Sequence, residues 1–292
     1  MIDLHTHTTA SDGTFSPAGL VRLAAEKGLT ALAVTDHDTI DGIAAARYQA
    51  DKSGVAFVSG IEISAQFTSD GTMHILGYCL DETNKSFQEA LLFLKEARKK
   101  RNPGIIDRLN EKGISITLED VLAESGGGEV GRPHFARALV RWGHAESITD
   151  AFERFLAKGA SCYVDKSRLS PADSIGLIRL AGGVPVLAHP NSLRLPDEEL
   201  EKTVKELAGW GLMGLECFYP THTQEDTKRL LAMAKAHGLV TTGGTDFHGR
   251  NRPKTKLGTG TGGFSIPHEV YERLVSFHQG LSEKTPPLTA AT

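Results

Sequence analysis

Short apolar runs alternate with amphipathic segments along this chain. The apolar runs have the length and continuity of buried strands, and they occupy residues 1–4, 31–35, 55–63, 73–79, 184–189, 213–218 and 239–245. Helical periodicity follows most of these runs. The first helix begins after Ser16, with Pro17 in its first turn, and ends before Gly28. Strand and helix therefore alternate, which predicts an α/β fold on a mainly parallel sheet.

Residues 101–170 break this alternation. A long helix rich in Lys, Glu and Arg begins near residue 87, and short helical pieces follow it. The α/β pattern resumes after Ser170, with predicted helices at 172–181, 197–209, 224–237 and 267–278, before a frayed tail at 285–292. We therefore predict a barrel made of residues 1–100 and 171–292, with residues 101–170 inserted as a mostly helical cap.

Composition narrows the class of protein. The chain has 292 residues, of which 40% are hydrophobic, and a formal net charge of −4, which disfavours a protein that coats double-stranded DNA. No apolar run is long enough to span a membrane, and no signal region precedes the first strand, so we expect a cytoplasmic protein. Three widely spaced cysteines indicate free thiols. Nothing in the sequence indicates an obligate protein partner.

Histidines and carboxylates lie where the predicted strands end. His5 and His7 are two residues apart, so on an extended backbone both point to the same side. The other apolar runs lead into His37, Glu62, His189, Asp246 and His248, and one further histidine, His74, lies at the start of its run. Because functional groups gather where the strands of a parallel barrel end, we expect these side chains to converge.

This set of side chains predicts a multinuclear metal site. Imidazoles and carboxylates without a nearby cysteine favour zinc, manganese or iron. At three or four protein ligands for each ion, the set can hold two to three divalent ions, with Glu62 as the natural bridge between them.

The same motifs resemble those of the PHP (polymerase and histidinol phosphatase) family of phosphoesterases. The resemblance rests on segments in the expected order: Asp3-Leu-His5-Thr-His7, Thr35-Asp-His37-Asp, Gly60-Ile-Glu62, His74, Ala188-His189-Pro190 and Gly244-Thr-Asp246-Phe-His248. It implies a distorted seven-stranded β/α barrel, similar to a TIM barrel, with a trinuclear metal site. The inserted segment, with Gly131-Arg-Pro-His134, is similar to the branch of stand-alone bacterial nucleotide phosphatases and 5′-3′ exoribonucleases.

The resemblance also implies a ligand set for each ion. One ion would take His5, His7, Glu62 and Asp246; a second would take Glu62, His74 and His189; and a third would take Asp12, His37 and His248. Asp12 stands where several family members have histidine, so the third site should favour manganese. Glu62, Asp246, His248 and His37 are the residues that we expect to take part in catalysis. His37 or His248 can serve as general acid only where it is not fully occupied as a ligand.

The inserted segment is the basic part of the chain. Residues 95–170 hold 14 Lys/Arg against 11 Asp/Glu, a balance of +3 in a chain whose total is −4. Arg132, His134, Arg137 and Lys158 lie beside turns or helix starts, and we expect them to bind a phosphate that does not react.

Together these features predict a metal-dependent phosphoesterase. The first hypothesis is hydrolysis of the 3′-phosphate of nucleoside 3′,5′-bisphosphates to 5′-mononucleotides and phosphate. The alternative is a 5′-3′ exoribonuclease that acts on 5′-phosphorylated short RNA at the same site. Histidinol phosphate is a weaker third substrate, because its single phosphate would not need a basic cap.

Two other classes of protein fit less well. Amidohydrolases that cleave C–N bonds commonly bridge their metals with a lysine at a strand end, and here Glu62 takes that place. A metal-free PHP module that only supports a polymerase is disfavoured because the ligand set is intact. The chain has no glycine-rich loop of the dinucleotide or P-loop type, so no nucleotide cofactor is implied.

Overall fold

A computed structural model of the chain describes residues 1–261 and 263–284, so the predicted tail at 285–292 lies outside the described residues. The strands are β1 (Ile2–Asp3), β2 (Ala31–Val34), β3 (Ala56–Ala65), β4 (Met73–Tyr78), β5 (Val184–Leu187), β6 (Gly214–Phe218) and β7 (Val240–Gly243). The α-helices are α1 (Pro17–Glu26), α2 (Ile43–Ser53), α3 (Lys85–Glu111), α4 (Leu118–Ser125), α5 (Arg132–Arg141), α6 (Ile148–Ala151), α7 (Pro171–Leu180), α8 (Asp197–Gly209), α9 (Gln224–Ala236) and α10 (His268–Lys284).

All seven strands belong to one sheet in the order in which they occur in the chain. β1, β2 and β3 are parallel, and so are β5, β6 and β7, but β4 runs antiparallel to both of its neighbours. The sheet is therefore mainly parallel, as predicted, with β4 as an antiparallel strand whose direction was not predicted. The antiparallel direction brings the start of β4, which carries His74, to the edge where the parallel strands end.

The sheet curls until its first and last strands approach each other. The Leu4 amide donates to the Gly243 carbonyl, and the Asp246 amide donates to the His5 carbonyl. Gly244 permits this approach, because a Cβ there would lie 2.1 Å from the Cβ of His5. The result is an α/β fold with a strongly curled seven-stranded sheet.

Side-chain caps explain why the helices begin where the sequence predicted. Ser16 precedes Pro17 and accepts a hydrogen bond from the Gly19 amide at the start of α1. Ser170 and Thr223 accept in the same way at the starts of α7 and α9. Each cap therefore determines the residue at which its helix begins.

The segment between β4 and β5 is helical and has an apolar cluster of its own. Phe135, Leu139 and Phe155 are buried in this cluster. α3 continues through Pro103 to Glu111, so the predicted boundary at residues 100 and 101 falls inside a continuous helix. Residues 160–164 form no strand. They make a turn that places Cys162 in the same cluster.

Two other expectations concern cysteines and membranes. Cys79, Cys162 and Cys217 are all free thiols, as predicted. Among the described helices, none combines the length and the apolar character that crossing a membrane requires.

Candidate metal centre

The curled sheet brings the predicted ligands together at one edge. His5, His7, Glu62, Asp246 and His248 are buried there, and His74 and His189 complete the opposite wall. Asp12 and His37 lie on the loops that follow β1 and β2. These are the nine residues from which the sequence predicted a multinuclear site.

Glu62 lies at the centre of the cluster. Its Oε2 atom is 3.0 Å from His37 Nδ1, 3.3 Å from His7 Nε2 and 3.4 Å from His5 Nε2. Its Oε1 atom is 2.7 Å from His74 Nδ1 and 3.0 Å from His189 Nε2. One carboxylate therefore faces five imidazoles, which is the position that a bridging ligand needs.

Three groups of these residues have ligand atoms within 4.8 Å of one another. The first contains His5, His7, Glu62 and Asp246, the same four residues that the family pattern implied. The second contains His37, Glu62 and His74, and the third contains His7, Asp12, His37 and His248. His37 thus lies within reach of two groups, whereas the family pattern placed His189 in the second.

The donor atoms fit divalent ions. Among the described residues, His5 Nε2, His37 Nδ1, Glu62 Oε2 and Asp246 Oδ1 are buried without a hydrogen-bond partner, as are both ring nitrogens of His7. Buried polar atoms are seldom left in this state unless an ion or a ligand satisfies them. All these atoms face one another, so a shared set of cations is the simplest way to satisfy them.

The electrostatics of the cluster agree with this. Burial opposes ionisation of Glu62, but His37, His74 and His5 hold the pKa of its carboxyl well below the usual value. Burial also opposes protonation of His7, yet the negative carboxylates of Asp246 and Glu62 beside it raise its pKa to about 9. The cluster is therefore a buried negative site, and a cation bound there would displace the proton from His7.

Burial lowers the pKa of His37 to about 3. A histidine that stays neutral across the physiological pH range suits metal ligation and not proton donation. The expectation that His37 could act as general acid is therefore weakened by its position in two ligand groups.

Backbone strain marks the same edge of the sheet. His189 and Asp246 have φ values of 27° and 55°, and Asp38, next to His37, has a φ of 56°. Residues with a side chain rarely adopt such values, and functional sites are where they accumulate.

The comparison with known families decides the identity of the fold. Residues 3–210 match the family described as PHP domain. The chain belongs to the PHP family. It is an enzyme of the metal-dependent phosphoesterase type, with an α/β fold that its PHP relatives share.

Relatives of the chain are named for different reactions. The chain is 37% identical to the 5′-3′ exoribonuclease Rnm of Escherichia coli, over 84% of either chain. It is 31% identical to the 3′,5′-nucleoside bisphosphate phosphatase of Chromobacterium violaceum, over 85% of this chain and 87% of the relative. A solved Bifidobacterium adolescentis protein, to which metal-dependent phosphoesterase activity has been ascribed, superimposes with a TM-score of 0.83 at 32% identity, covering 94% of this chain and 95% of that protein.

A cationic cavity of about 510 Å³ opens beside the PHP ligand cluster. Asp12, His37 and His74 form part of its wall. Its Lys and Arg side chains are Arg98, Arg101, Arg132, Lys158, Lys166, Arg168, Arg194 and Arg252. The sequence singled out two of these eight, Arg132 and Lys158. The others come from four separate parts of the chain and have no shared motif that would have revealed them.

The four predicted phosphate-binding residues divide into two pairs. Arg132 and Lys158 line the cationic cavity, but His134 and Arg137 are not among the described residues that line it. His134 is fully buried, and its Nδ1 atom accepts from the Gly131 amide at 2.8 Å, which caps α5. Arg137 donates to Asn251 Oδ1 at 2.8 Å, and Asn251 in turn donates to the Asp12 carbonyl. Both residues therefore support the walls of the site.

A buried ion cluster joins this cavity to the metal-binding edge. Asp38 is 1% exposed and forms ion pairs with Arg98 of α3 and with Lys166. Burial and the neighbouring Arg98 lower the pKa of Lys166 to about 7, although Asp38 opposes this. Asp38 directly follows His37 in the chain. Its ion pairs therefore hold Arg98 and Lys166 of the cationic cavity close to a candidate metal ligand.

Glu216 on β6 is a positioning residue that the sequence analysis missed. Its Oε1 atom lies 2.9 Å from His5 Nδ1, and its Oε2 atom accepts from the His189 amide at 2.7 Å. Glu216 is fully buried. By accepting from His5 Nδ1–H, it leaves Nε2 of that ring as the metal-facing atom. A lone carboxylate inside an apolar strand was the available signal.

We expect Glu216→Gln to weaken metal binding by about 10- to 100-fold. Glutamine has a single acceptor oxygen, so either the His5 ring or the His189 amide would face its NH₂ group. Competition between the protein and a chelator for Mn²⁺ measures the effect, and Glu206→Gln on the exposed face of α8 is the matched control. Equal Mn²⁺ affinity in both variants would show that Glu216 does not orient the ligands.

Proposed function

We propose that the chain hydrolyses the phosphoester on O3′ of a nucleotide that also carries a 5′-phosphate. Its substrate would be a nucleoside 3′,5′-bisphosphate, and the products would be a 5′-mononucleotide and phosphate. A 5′-3′ exoribonuclease acting on short RNA is the second candidate, since it would use the same site with a different group on the scissile phosphorus.

The observation that carries this proposal is the excess of positive charge beside the ligand cluster. Eight Lys and Arg side chains line the cationic cavity with three carboxylates, Asp12, Asp70 and Asp165, and two more carboxylates, Asp38 and Asp246, pair with members of the eight, so the cations remain in excess. Arg101 lies in this cavity. Burial lowers its pKa to about 9, and the positive charges of Arg98, Arg132 and Arg168 act in the same direction. Buried cations without enough counter-charges favour a bound anion, and a phosphate presents the oxygens that guanidinium groups bind best.

We infer that the helical segment at residues 101–170 acts as a substrate-binding cap. Arg132, Lys158, Lys166 and Arg168 all come from this segment, whereas the ligand cluster belongs to the curled sheet. A 5′-phosphate in the cationic cavity would orient O3′ and its phosphorus toward the ligand cluster, so that remote binding energy appears as orientation of the reacting group. A substrate with one phosphate, such as histidinol phosphate, has no use for this arrangement.

The ligand cluster is suited to two or three divalent cations, for which manganese is our first choice. When bound, such ions would generate a nucleophile from water at neutral pH and compensate the charge that builds up on the phosphoryl oxygens. His5, His7, Glu62 and Asp246 would hold one ion, and Asp12 would bring a hard oxygen ligand to the group that contains His248.

Product analysis tests the proposed function. With Mn²⁺ present, adenosine 3′,5′-bisphosphate should yield adenosine 5′-monophosphate and inorganic phosphate, because the cationic cavity fixes the 5′-phosphate. Adenosine 3′-monophosphate, which lacks that group, should turn over at least about 100-fold more slowly in kcat/KM. Chromatography identifies the nucleotide. Recovery of the 3′-monophosphate would mean that the two phosphates bind in the opposite sense.

A further inference from the structure

A second, smaller cavity of about 310 Å³ adjoins the ligand cluster. His37, Glu62, His74, His189 and Asp246 form the wall that it shares with the cluster. The rest of its wall consists of residues outside the candidate ligand set: Thr72, Asn191, Ser192, Tyr219, Thr221, His222 and Arg252. Hydrolysis of a bisphosphate leaves this part of the cavity without a role, because a terminal 3′-phosphate ends at the ligand cluster.

The two cavities differ in charge. Arg252 is the one Lys or Arg side chain among the described residues that line the smaller cavity, and it is already paired with Asp246. The cationic cavity has eight. Thr72, His37, His74 and Arg252 line both cavities, so the two meet at the ligand cluster. The charge difference assigns a phosphate to the cationic cavity and an uncharged group to the smaller one.

Aromatic side chains form one side of the smaller cavity. The Tyr219 ring centroid lies 5.4 Å from that of His222 and 5.4 Å from that of His189. The Tyr219 hydroxyl donates to Asp246 Oδ2 at 2.8 Å, which holds the ring in place. A fixed aromatic ring is a surface on which any nucleobase can stack, whatever its sequence.

His222 adds a hydrogen-bond acceptor to this surface. Its Nδ1 atom lies 3.0 Å from the Cys217 carbonyl, which can only accept, so Nδ1 carries the proton and Nε2 keeps a lone pair. Within the described part of the chain, Nε2 is buried and has no hydrogen-bond partner. An N–H or hydroxyl of a nucleoside would satisfy it.

We propose that Tyr219 and His222 form, in the smaller cavity, the subsite for the nucleoside on the 3′ side of the scissile phosphate. This proposal rests on the proposed function, because it takes the 5′-phosphate to lie in the cationic cavity. The first nucleotide then spans the distance between the two cavities, and the second nucleoside lies against Tyr219 and His222.

The bond changes follow from this placement. The oxygen of water bonds to phosphorus, the P–O3′ bond breaks, and O3′ leaves with a proton as the hydroxyl of the first nucleotide. The phosphate remains on the 5′-oxygen of the second nucleoside in the smaller cavity. Each cycle therefore releases a 5′-mononucleotide and creates the 5′-phosphate that the cationic cavity needs for the next cycle.

Two substrates isolate the smaller cavity. Adenosine 3′,5′-bisphosphate and the 5′-phosphorylated dinucleotide pApA share the first nucleotide and the scissile phosphorus, and they differ in the second nucleoside. Thr221→Trp places a bulky side chain at the exposed rim of the cavity, and His222→Ala removes the acceptor. Each variant should lower kcat/KM for pApA by about tenfold or more beyond its effect on the bisphosphate.

Lys158→Met is the control, because both substrates place a 5′-phosphate in the cationic cavity and should lose activity equally. Thermal unfolding and metal content of each variant report whether it folds and binds metal as the wild type does. Equal losses on both substrates in Thr221→Trp and His222→Ala would overturn the assignment of the smaller cavity. A wild-type protein that cleaves neither substrate would instead contradict the proposed function.

Discussion

Glu62→Gln should abolish metal binding and phosphoesterase activity together. Glu62 is the one carboxylate that faces five imidazoles, and it belongs to two of the three candidate ligand groups. An amide keeps the size of the side chain but loses the negative charge that both groups share. We expect kcat/KM to fall by about 1,000-fold or more, because catalysis by bound cations depends on their number and position.

Elemental analysis of protein purified without chelator measures the other half of this prediction. The wild type should contain two to three equivalents of transition metal, and Glu62→Gln should contain at least one fewer. Glu206→Gln serves as the charge-matched control, because Glu206 lies exposed on α8. A wild-type preparation that is fully active without metal would contradict both the ligand assignment and the proposed chemistry.

The ligand cluster could be predicted because each ligand follows, or begins, an apolar run. His5, Glu62, His189 and Asp246 come from four different strand ends, and a curled sheet has to bring such ends together. The predicted starts of α1, α7 and α9 held to within about a residue, because Ser16, Ser170 and Thr223 cap these helices, whereas α3 and α10 extend beyond their predicted ends. Local signals therefore fixed the metal-binding edge.

The direction of β4 was missed although a signal existed. β3 ends at Ala65 and β4 begins at Met73, so the connection is too short for the crossover of a dozen or more residues that parallel strands require. A hairpin was the physically accessible connection. Attention to connection length, beside the apolar pattern, would have predicted both the antiparallel strand and the position of His74.

The cationic cavity could not be predicted in the same way. Arg98 and Arg101 lie on α3, where a run of Lys and Arg looks like an ordinary solvated helix face. Arg194 and Arg252 lie much further along the chain and reach the cavity only in the folded protein. His134 and Arg137 lie beside a turn and hold hydrogen bonds to the Gly131 amide and to Asn251, and phosphate binding by these two residues stays a prediction.

Arg101→Met is the sharpest test of the cationic cavity, because it should move stability and activity in opposite directions. Arg101 is 6% exposed, and among the described residues its guanidinium group donates its hydrogen bonds to the side-chain oxygen of Asn102. Burial is the largest cause of its lowered pKa, followed by repulsion from Arg98, Arg132 and Arg168. Without a bound anion, the buried charge of Arg101 destabilises the folded protein. Methionine fills a similar volume and removes this charge.

In a buffer without phosphate, Arg101→Met should therefore unfold at a temperature roughly 2–4 °C higher than the wild type. Inorganic phosphate should raise the unfolding temperature of the wild type more than that of Arg101→Met, because only the wild type has the full anion site. Arg141→Met, at the exposed end of α5, is the control that removes one arginine without touching the cavity.

The phosphoesterase activity of Arg101→Met should fall although its stability rises. We expect kcat/KM for adenosine 3′,5′-bisphosphate to drop by on the order of 100-fold in Arg101→Met, mostly through KM, and far more than for p-nitrophenyl phosphate, which has no second phosphate. Equal losses on both substrates would mean that Arg101 acts on the reacting phosphate or on the fold. A lower unfolding temperature without anion would mean that Asp38 and Asp165 already balance the charge of the arginines. If Arg101→Met is more stable and less active than the wild type, the arginines of the cationic cavity repel one another in the free protein, and the phosphate of the substrate offsets this repulsion.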